Sequence, residues 1–306
     1  LVIGADIEVV ILQAAAKRNS GEFKLMGLAP YGRPVYADTI RRHLIDVKPD
    51  GSFRLNMDYF AFLAEPAMTN NRFAALFGGP AREPESRISR REMDLAASIQ
   101  AVTEDVVVRL ARTARRLTGA PNLVMAGGVA LNCVANGRLL RDGVVEGLWI
   151  QPAAGDAGGA LGAALLANHM YFDRPRPQAD GRRDGQRGSY LGPSYSSDEV
   201  RACLARQHAP FDRVEDPAVR ASVIAETLAA GKVVGLASGR MEFGPRSLGA
   251  RSILGDPRKA DTQAVMNLKI KFRESFRPFA PAVLRERVAD YFELDSDSPY
   301  MLLVAP

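Results

Sequence analysis

The stretch "NLVMAGGVALNCVANGRLL", residues 122–140, predicts a buried strand, a turn with the paired glycines Gly127 and Gly128, and then a helix. The stretch "GLWIQPAAGDAGGALGAALLANH", residues 147–169, repeats this order, with a glycine-rich turn around Asp156. Two strand-turn-helix units in succession are typical of α/β proteins. These two stretches therefore predict an α/β fold.

Composition indicates how many domains the chain can form and which binding partners and compartments it favours. The chain has 306 residues, of which 47% are hydrophobic, which is enough for two domain cores. A formal net charge of +5 gives only weak support for nucleic-acid binding. The two cysteines, Cys133 and Cys203, lie outside disulfide or zinc spacing, so a reducing cytoplasm is expected. No apolar run approaches the roughly 20 residues that span a bilayer.

Further elements follow from local patterns. The clearest helix is predicted from Ser89 to about Leu117, with a capping box of Ser89 and Glu92 and a terminating Gly119. An amphipathic helix through Ile40 and Leu44 and a strand after the "PDG" turn precede it. Residues 173–189, rich in proline, glycine and charge, are interpreted as a domain linker.

A second stretch, "GRMEFGPRSLGARSILGDPRK" at residues 239–259, indicates an anion site. Arginines alternate there with glycines, whereas a solvated helix face carries Lys and Glu at helical spacing. We expect Arg246 to bind the anion and Arg258 and Lys259 to be solvated. Glu242 is expected to form an ion pair that orients a neighbouring arginine.

The stretch "VMNLKIKFRESFRPFAPAVL", residues 265–284, alternates basic and apolar residues. A period near two predicts an extended segment with Lys269, Lys271, Arg273 and Arg277 on one side, where they would bind anionic oxygens. The alternative is an edge strand guarded by lysines, which is preferred for Lys269 and Arg273 taken singly.

The two glycine turns allow two interpretations each. Gly127 and Gly128 suit the close approach of a phosphate or nucleoside, or a tight connection in which Asn132 caps the helix. Asp156 suits a metal or a phosphate-linked water, or an N-cap. The three histidines show no metal-ligand spacing; they are His43, His169 and His208.

Five motifs together resemble the O-carbamoyltransferases that decorate nodulation factors and antibiotics. They occur in the family's order and spacing from about Ser20 to the end of the chain: "SGEFKLMGLAPYG", "MAGGVALNCVANGRL", "QPAAGDAGGALGAAL", "GRMEFGPRSLGARSIL" and "KFRESFRPFAPAVL". The resemblance implies that residues 1–172 are the C-terminal portion of an actin-like carbamoyl-transferring domain. It also implies that 173–189 are the linker and that 190–306 are the N-terminal portion of a YrdC-like domain.

The resemblance implies a reaction and the residues that serve it. Carbamoyl phosphate and ATP would give a carbamoyl-adenylate, from which the carbamoyl group passes to the hydroxyl of a small-molecule or sugar acceptor. The family's catalytic anion-binding residues fall on Arg246, Lys271 and Arg277. Its nucleotide-binding positions fall on Gly127, Gly128, Asn132 and Gly155, and its metal-binding aspartate, for iron or magnesium, falls on Asp156.

The family also has segments that nothing here matches. One precedes this region and carries a histidine pair for the metal, and the other completes the second domain. The chain is therefore interpreted as a central portion that binds carbamoyl phosphate weakly at best. The alternatives are a tRNA threonylcarbamoylation-type enzyme and an inactive fragment acting as a binding module. A membrane partner is not expected, nucleic acid is disfavoured, and a homodimer is allowed.

Overall fold

The structure, a computed structural model, describes residues 22–65, 67–83, 86–177 and 184–306. Those residues form two compact units. The first contains the described residues up to Asp156 together with Glu286–Ser296 and Leu302–Pro306, and the second contains those of Ala157–Arg285 together with Asp297–Met301. The predicted domain boundaries stay a prediction.

The first unit is organised around one long helix. Its helices are α1 (Glu22–Leu28), α2 (Ala37–His43), α3 (Asn71–Leu76), α4 (Arg90–Thr118) and α5 (Cys133–Arg141), and its strands are β1 (Ile45–Val47), β2 (Phe53–Leu55), β3 (Asn122–Met125) and β4 (Gly147–Ile150). Helix α4 packs against α1, α2 and α5. Val107, Val108 and Ala111 of α4 form a buried core with Ala135 and Leu139 of α5.

The ends of α4 follow the sequence signals. Ser89 and Glu92 form the reciprocal capping box, and the Glu92 carboxylate accepts a hydrogen bond of 2.8 Å from the Ser89 amide. Gly119 ends the helix in the left-handed region, with φ of 68°. The predicted helix is confirmed, and so are the helix through Ile40 and the strand after the "PDG" turn.

Two small sheets give the first unit its β structure. Strands β1 and β2 form an antiparallel hairpin in which Ile45 pairs with Leu55. Strands β3 and β4 are parallel, with Met125 opposite Ile150, and α5 lies between them in the chain. Strand, helix and parallel strand make a βαβ unit, which confirms the predicted α/β class.

The second unit contains one antiparallel hairpin and four helices among its described residues. The helices are α6 (Asp156–Leu166), of which Asp156 belongs to the first unit, α7 (Ser197–Arg206), α8 (Pro217–Ala229) and α9 (Thr262–Val265). The hairpin strands are β5 (Val234–Ala237) and β6 (Arg251–Leu254), with Ala237 opposite Arg251. Asp216 caps α8, since its side chain accepts from the amides of Ala218 and Val219.

Two further observations bear on the expectations from sequence. The predicted linker falls partly on residues 178–183, which lie outside the described residues. Its last residues form a 3-10 turn, Arg187–Ser189, in which Ser189 is buried. Within the described ranges, no helix has the length and apolar character needed to cross a bilayer.

Candidate functional site

The two glycine turns meet at the carboxyl edge of the parallel pair β3 and β4. The Gly127 amide donates a hydrogen bond of 2.8 Å to the carbonyl of Ala154, which joins the two loops. Gly127 has a φ of 99°, and a Cβ built there would touch nothing within 4 Å. Gly128 begins a 3-10 turn, and Gly155 lies beside the Leu131 side chain. The carboxyl edge of parallel strands is where α/β proteins bind ligands.

Asn132 is fixed at the start of α5 by its side chain. Its Oδ1 accepts from the Ala135 amide at 3.1 Å, which makes Asn132 the N-cap that one interpretation of the sequence expected. The side-chain amide of Asn132 also forms two reciprocal hydrogen bonds, of 3.1 and 3.0 Å, with the side-chain amide of Gln100. Asn132 thus holds the glycine turn to α4, and its nucleotide contact stays a prediction.

Asp156 is the exposed first residue of α6. Among the residues that the structure describes, no group of three His, Cys, Asp or Glu side chains is placed to hold a metal ion. The described residues therefore do not supply a complete site for the iron or magnesium ion that the resemblance implies.

The arginine loop, residues 238–250, connects β5 to β6 and is organised by Glu242. One oxygen of this carboxylate, Oε1, accepts from the amides of Leu248, Ala250 and Arg251 at 2.7, 2.8 and 3.2 Å. Burial opposes ionisation of Glu242, but these hydrogen bonds hold its pKa below the ordinary value. The expectation of an orienting ion pair is corrected, because this oxygen binds backbone amides.

Further contacts fix the arginine loop at both ends. The guanidinium of Arg251 donates to the carbonyls of Ser238 and Gly239, each at 3.3 Å, and the Tyr190 hydroxyl donates to the Leu248 carbonyl at 2.6 Å. Arg246 lies half-buried within the loop. The backbone that carries Arg246 is thus held in place by the protein itself, as preorganised anion binding requires.

The basic segment, residues 265–277, departs from the predicted extended strand. Its first half is helical, since α9 continues into a π-helical turn, Met266–Ile270. Its second half is an irregular loop that folds around Asn267. The prediction of an extended segment with all four basic groups on one side is therefore wrong, and Lys269 lies on the helical turn.

Asn267 is the centre of this basic segment, and it is fully buried at 0% exposure. Its Nδ2 donates to the carbonyls of Ser275 at 3.1 Å and Arg277 at 2.8 Å, and its Oδ1 accepts from Arg273 Nε at 2.6 Å. One side-chain amide thereby fixes the loop that carries three of the basic residues, Lys271, Arg273 and Arg277.

Lys271 lies close to the positive charges of Arg273 and Arg277. Partial burial, followed by the charges of Arg273 and Arg277, lowers the pKa of the Lys271 ammonium. Burial and the charge of Arg277 also lower the pKa of Arg273. Lys271, Arg273 and Arg277 thus form one basic cluster, and Arg246 lies in the arginine loop.

Arg258 is not a free solvated charge. Its guanidinium binds both oxygens of the buried Asp256 carboxylate, with Nη2 to Oδ2 at 2.7 Å and Nε to Oδ1 at 2.9 Å. The hydrogen bonds from Arg258 lower the pKa of Asp256 to about 2. The Arg258 side chain stays 73% exposed, as the sequence predicted, and its ion pair with Asp256 is what the sequence did not predict.

Asn267 and Glu242 were not predicted to have these roles. Neither gives a local sequence signal, because each binds backbone groups six to ten residues further along the chain. The one indication in the sequence is that an uncharged polar residue, Asn267, lies beside the predicted cluster of basic residues.

Comparison with known proteins places the chain among carbamoyltransferases. Residues 3–165 match the model of the family described as "Carbamoyltransferase N-terminus", and residues 225–306 match "Carbamoyltransferase C-terminus". An uncharacterised protein of Synechocystis sp. is 58% identical over 94% of this chain and 47% of its own length.

Two nodulation proteins are also similar. Nodulation protein NolNO of Sinorhizobium fredii is 38% identical over 93% of this chain and 40% of its own length. Nodulation protein NolO of Bradyrhizobium diazoefficiens is 37% identical over 92% of this chain and 49% of its own length. The chain therefore spans about half the length of the curated relatives it matches. Because the first family model covers more than half of the 306 residues, the chain belongs to the carbamoyltransferase family.

Proposed function

We propose that the protein to which this chain belongs is an O-carbamoyltransferase. It moves the carbamoyl group of carbamoyl phosphate, through an ATP-derived carbamoyl-adenylate, to a hydroxyl of a small-molecule or sugar acceptor. Family membership supports carbamoyl transfer. The cluster of Lys271, Arg273 and Arg277 supports an anionic donor, because its three cations outnumber the carboxylate of Glu274 that pairs with Arg277, and a bound anion relieves the remaining repulsion.

The basic cluster and the arginine loop have complementary tasks in this proposal. Arg246 and Arg277 present planar guanidinium groups that match phosphate oxygens in pairs, and Lys271 supplies a point charge. Charge on the leaving phosphate grows as its bond to the carbamoyl group breaks. Cations already held in position stabilise that charge more than they stabilise the bound substrate, so they raise the rate.

The glycine edge of the first unit serves the nucleotide in this proposal. Gly127, Gly128 and Gly155 let a phosphate approach backbone amides closely, and Asn132 fixes the turn against α4. We assign the first unit to an actin-like domain and the second to a YrdC-like domain. ATP supplies the adenylyl group, while the described residues bind and orient it.

A metal enters no step of the proposed reaction. Asp156 alone offers one carboxylate, and hard divalent ions take six or more oxygen ligands. Its role as a metal ligand requires further side chains beyond those that the structure describes.

The proposal is tested by pyrophosphate release from ATP. We expect release that depends on carbamoyl phosphate in the full-length protein, and a loss of about 100-fold in Arg246→Ala, as for removal of a preorganised charge-stabilising group. Arg201→Ala, an exposed arginine of α7 paired with Asp198, is the matched control and should leave the rate unchanged. Undiminished release in Arg246→Ala would contradict the assignment of the arginine loop.

A further inference from the structure

A groove of about 390 Å³ lies in the first unit, beside the C-terminal half of α4. It has the size of a small-molecule site. Its lining consists mainly of α4 side chains together with one residue of the β1–β2 turn: Asp105, Arg109, Arg112, Thr113, Arg116 and Pro49.

One glycine lets the turn that carries Pro49 pack on α4 beside this groove. Gly51, in the β1–β2 turn, has a φ of 87°, and a Cβ there would lie 2.6 Å from the amide nitrogen of Leu110. Only a residue without a side chain lets this turn pack so closely on α4. The concavity is therefore fixed by main-chain packing as well as by side-chain rotamers.

The lining carries three arginines and one aspartate, a net charge of +2. Arg109 neutralises the aspartate, since its Nε lies 3.0 Å from Asp105 Oδ1. In the part of the chain that the structure describes, Arg112 and Arg116 form no ion pair with a carboxylate. The nearby Asp50 carboxylate is hydrogen-bonded within its own loop, where Ser52 donates to its Oδ1 through Oγ at 2.7 Å and through the amide at 3.0 Å. These hydrogen bonds, and to a smaller extent the charge of Arg116, lower the pKa of Asp50.

Arg112 and Arg116 stand one turn apart on a rigid helix, where like charges repel. A phosphate group placed between them removes that repulsion and accepts hydrogen bonds from both guanidinium forks. We propose that this groove binds the phosphate group of a small phosphomonoester, at a site separate from the arginine loop of the second unit. The hydroxyl of Thr113, between the two arginines in sequence, adds a donor for a further oxygen.

Chemical footprinting tests this site residue by residue. Phenylglyoxal modifies accessible arginines, and peptide mass spectrometry reports each one. We expect inorganic phosphate to protect Arg112 and Arg116 with saturation on the order of 1 mM, as two charge-assisted contacts predict. Exposed Arg206 and Arg220 should stay unprotected at matched ionic strength. Equal protection of all four would overturn the proposal.

Calorimetry with two probes identifies the source of the phosphate. In an Arg246→Ala background, glycerol 3-phosphate, a phosphomonoester without the nucleoside that the glycine edge is proposed to bind, should bind more tightly than inorganic phosphate if the groove accepts a whole phosphomonoester. Arg112→Gln/Arg116→Gln should weaken binding of both probes at least about 10-fold, whereas the charge-matched Arg201→Gln/Arg220→Gln should not. Unchanged binding in the first double variant, with α4 still helical by circular dichroism, would refute the site.

Discussion

At the scale of single residues, Glu242 shows how one carboxylate shapes the arginine loop through backbone hydrogen bonds. Glu242→Ala would leave the amides of Leu248, Ala250 and Arg251 without this acceptor. We expect a loss of about 2 kcal/mol in the free energy of unfolding by urea, since hydrogen bonds to a charged group are strong. Glu242→Gln should lose less, and exposed Glu226→Ala should lose nothing. Equal stability of all three variants would contradict the assigned role.

Asn267 positions the basic segment, and its replacement should affect anion affinity. Asn267→Leu removes both donors and the acceptor, whereas Asn267→Asp keeps the acceptor for Arg273. We expect the affinity for carbamoyl phosphate to fall about 10-fold in Asn267→Leu, because one misplaced charge-assisted contact has about that effect.

The control for Asn267 is another buried asparagine. Asn136, also at 0% exposure, donates to the carbonyls of Ala130 and Leu302 in the first unit. Asn136→Leu should lower stability while leaving carbamoyl phosphate affinity intact in calorimetry. The positioning role fails if both variants weaken binding equally.

Lys271 makes anion binding dependent on pH. Its pKa lies below the ordinary value of 10.5, so it loses its proton, and with it its charge, at a lower pH than an isolated lysine. We expect affinity for inorganic phosphate, which is already dianionic in this range, to fall as pH rises through values below the ordinary lysine pKa of 10.5. Lys271→Arg, which stays charged, should abolish this fall. A fall of the same size in that variant would point to another group.

At the scale of elements, α4 depends on its capping box. Burial raises the pKa of Glu92, but the hydrogen bonds from Ser89 and Arg91 outweigh burial and lower it. Ser89→Ala should therefore destabilise the protein by about 1 kcal/mol in urea denaturation. Exposed Ser222→Ala on α8 serves as the control and should change stability little. A destabilisation no larger than the control's would show that the cap is dispensable.

Sequence predicted those elements whose signals are local. Helix α4 has a cap, an apolar stripe and a terminating glycine within its own span, and β3 and β4 have apolar runs before glycine turns. The prediction of an extended basic segment was wrong, because alternation over a few residues is compatible both with a strand and with a helical turn followed by a loop. The contacts of Asn267 decide between them, and periodicity does not encode such contacts.

The candidate site was predictable to a similar extent. The joining of the two glycine loops followed from strand order, because parallel neighbours end at one edge. The contacts that support the arginine loop could not be predicted from strand order, since Glu242 and Tyr190 bind backbone groups distant in sequence. The exposure of Arg258 was predictable, but its ion pair was not, because its buried partner, Asp256, looks like an ordinary turn aspartate in sequence.

At the scale of the whole molecule, one apolar stretch in the second unit favours self-association. Met170 and Tyr171 are 71% and 82% exposed, and Leu166 and Phe172 beside them in sequence are also exposed. Contiguous apolar surface of this kind usually marks an interface. We expect sedimentation velocity to show dimers that increase with protein concentration, in line with the homodimer that the sequence allowed.

The test of self-association uses two polar substitutions. Met170→Gln/Tyr171→Gln should shift the protein toward monomer, whereas Leu63→Gln, an isolated exposed leucine of the first unit, should not. A wild-type protein that sediments as a monomer at every concentration would contradict the prediction.

The segment Leu302–Pro306 returns to the first unit. The Val304 amide donates to the Cys133 carbonyl, and the Leu302 carbonyl accepts from Asn136. Gly137 has room for this contact only because it lacks a side chain, since a Cβ there would lie 2.2 Å from the Val304 carbonyl oxygen. During synthesis, α5 therefore leaves the ribosome before the segment that covers this surface has been made.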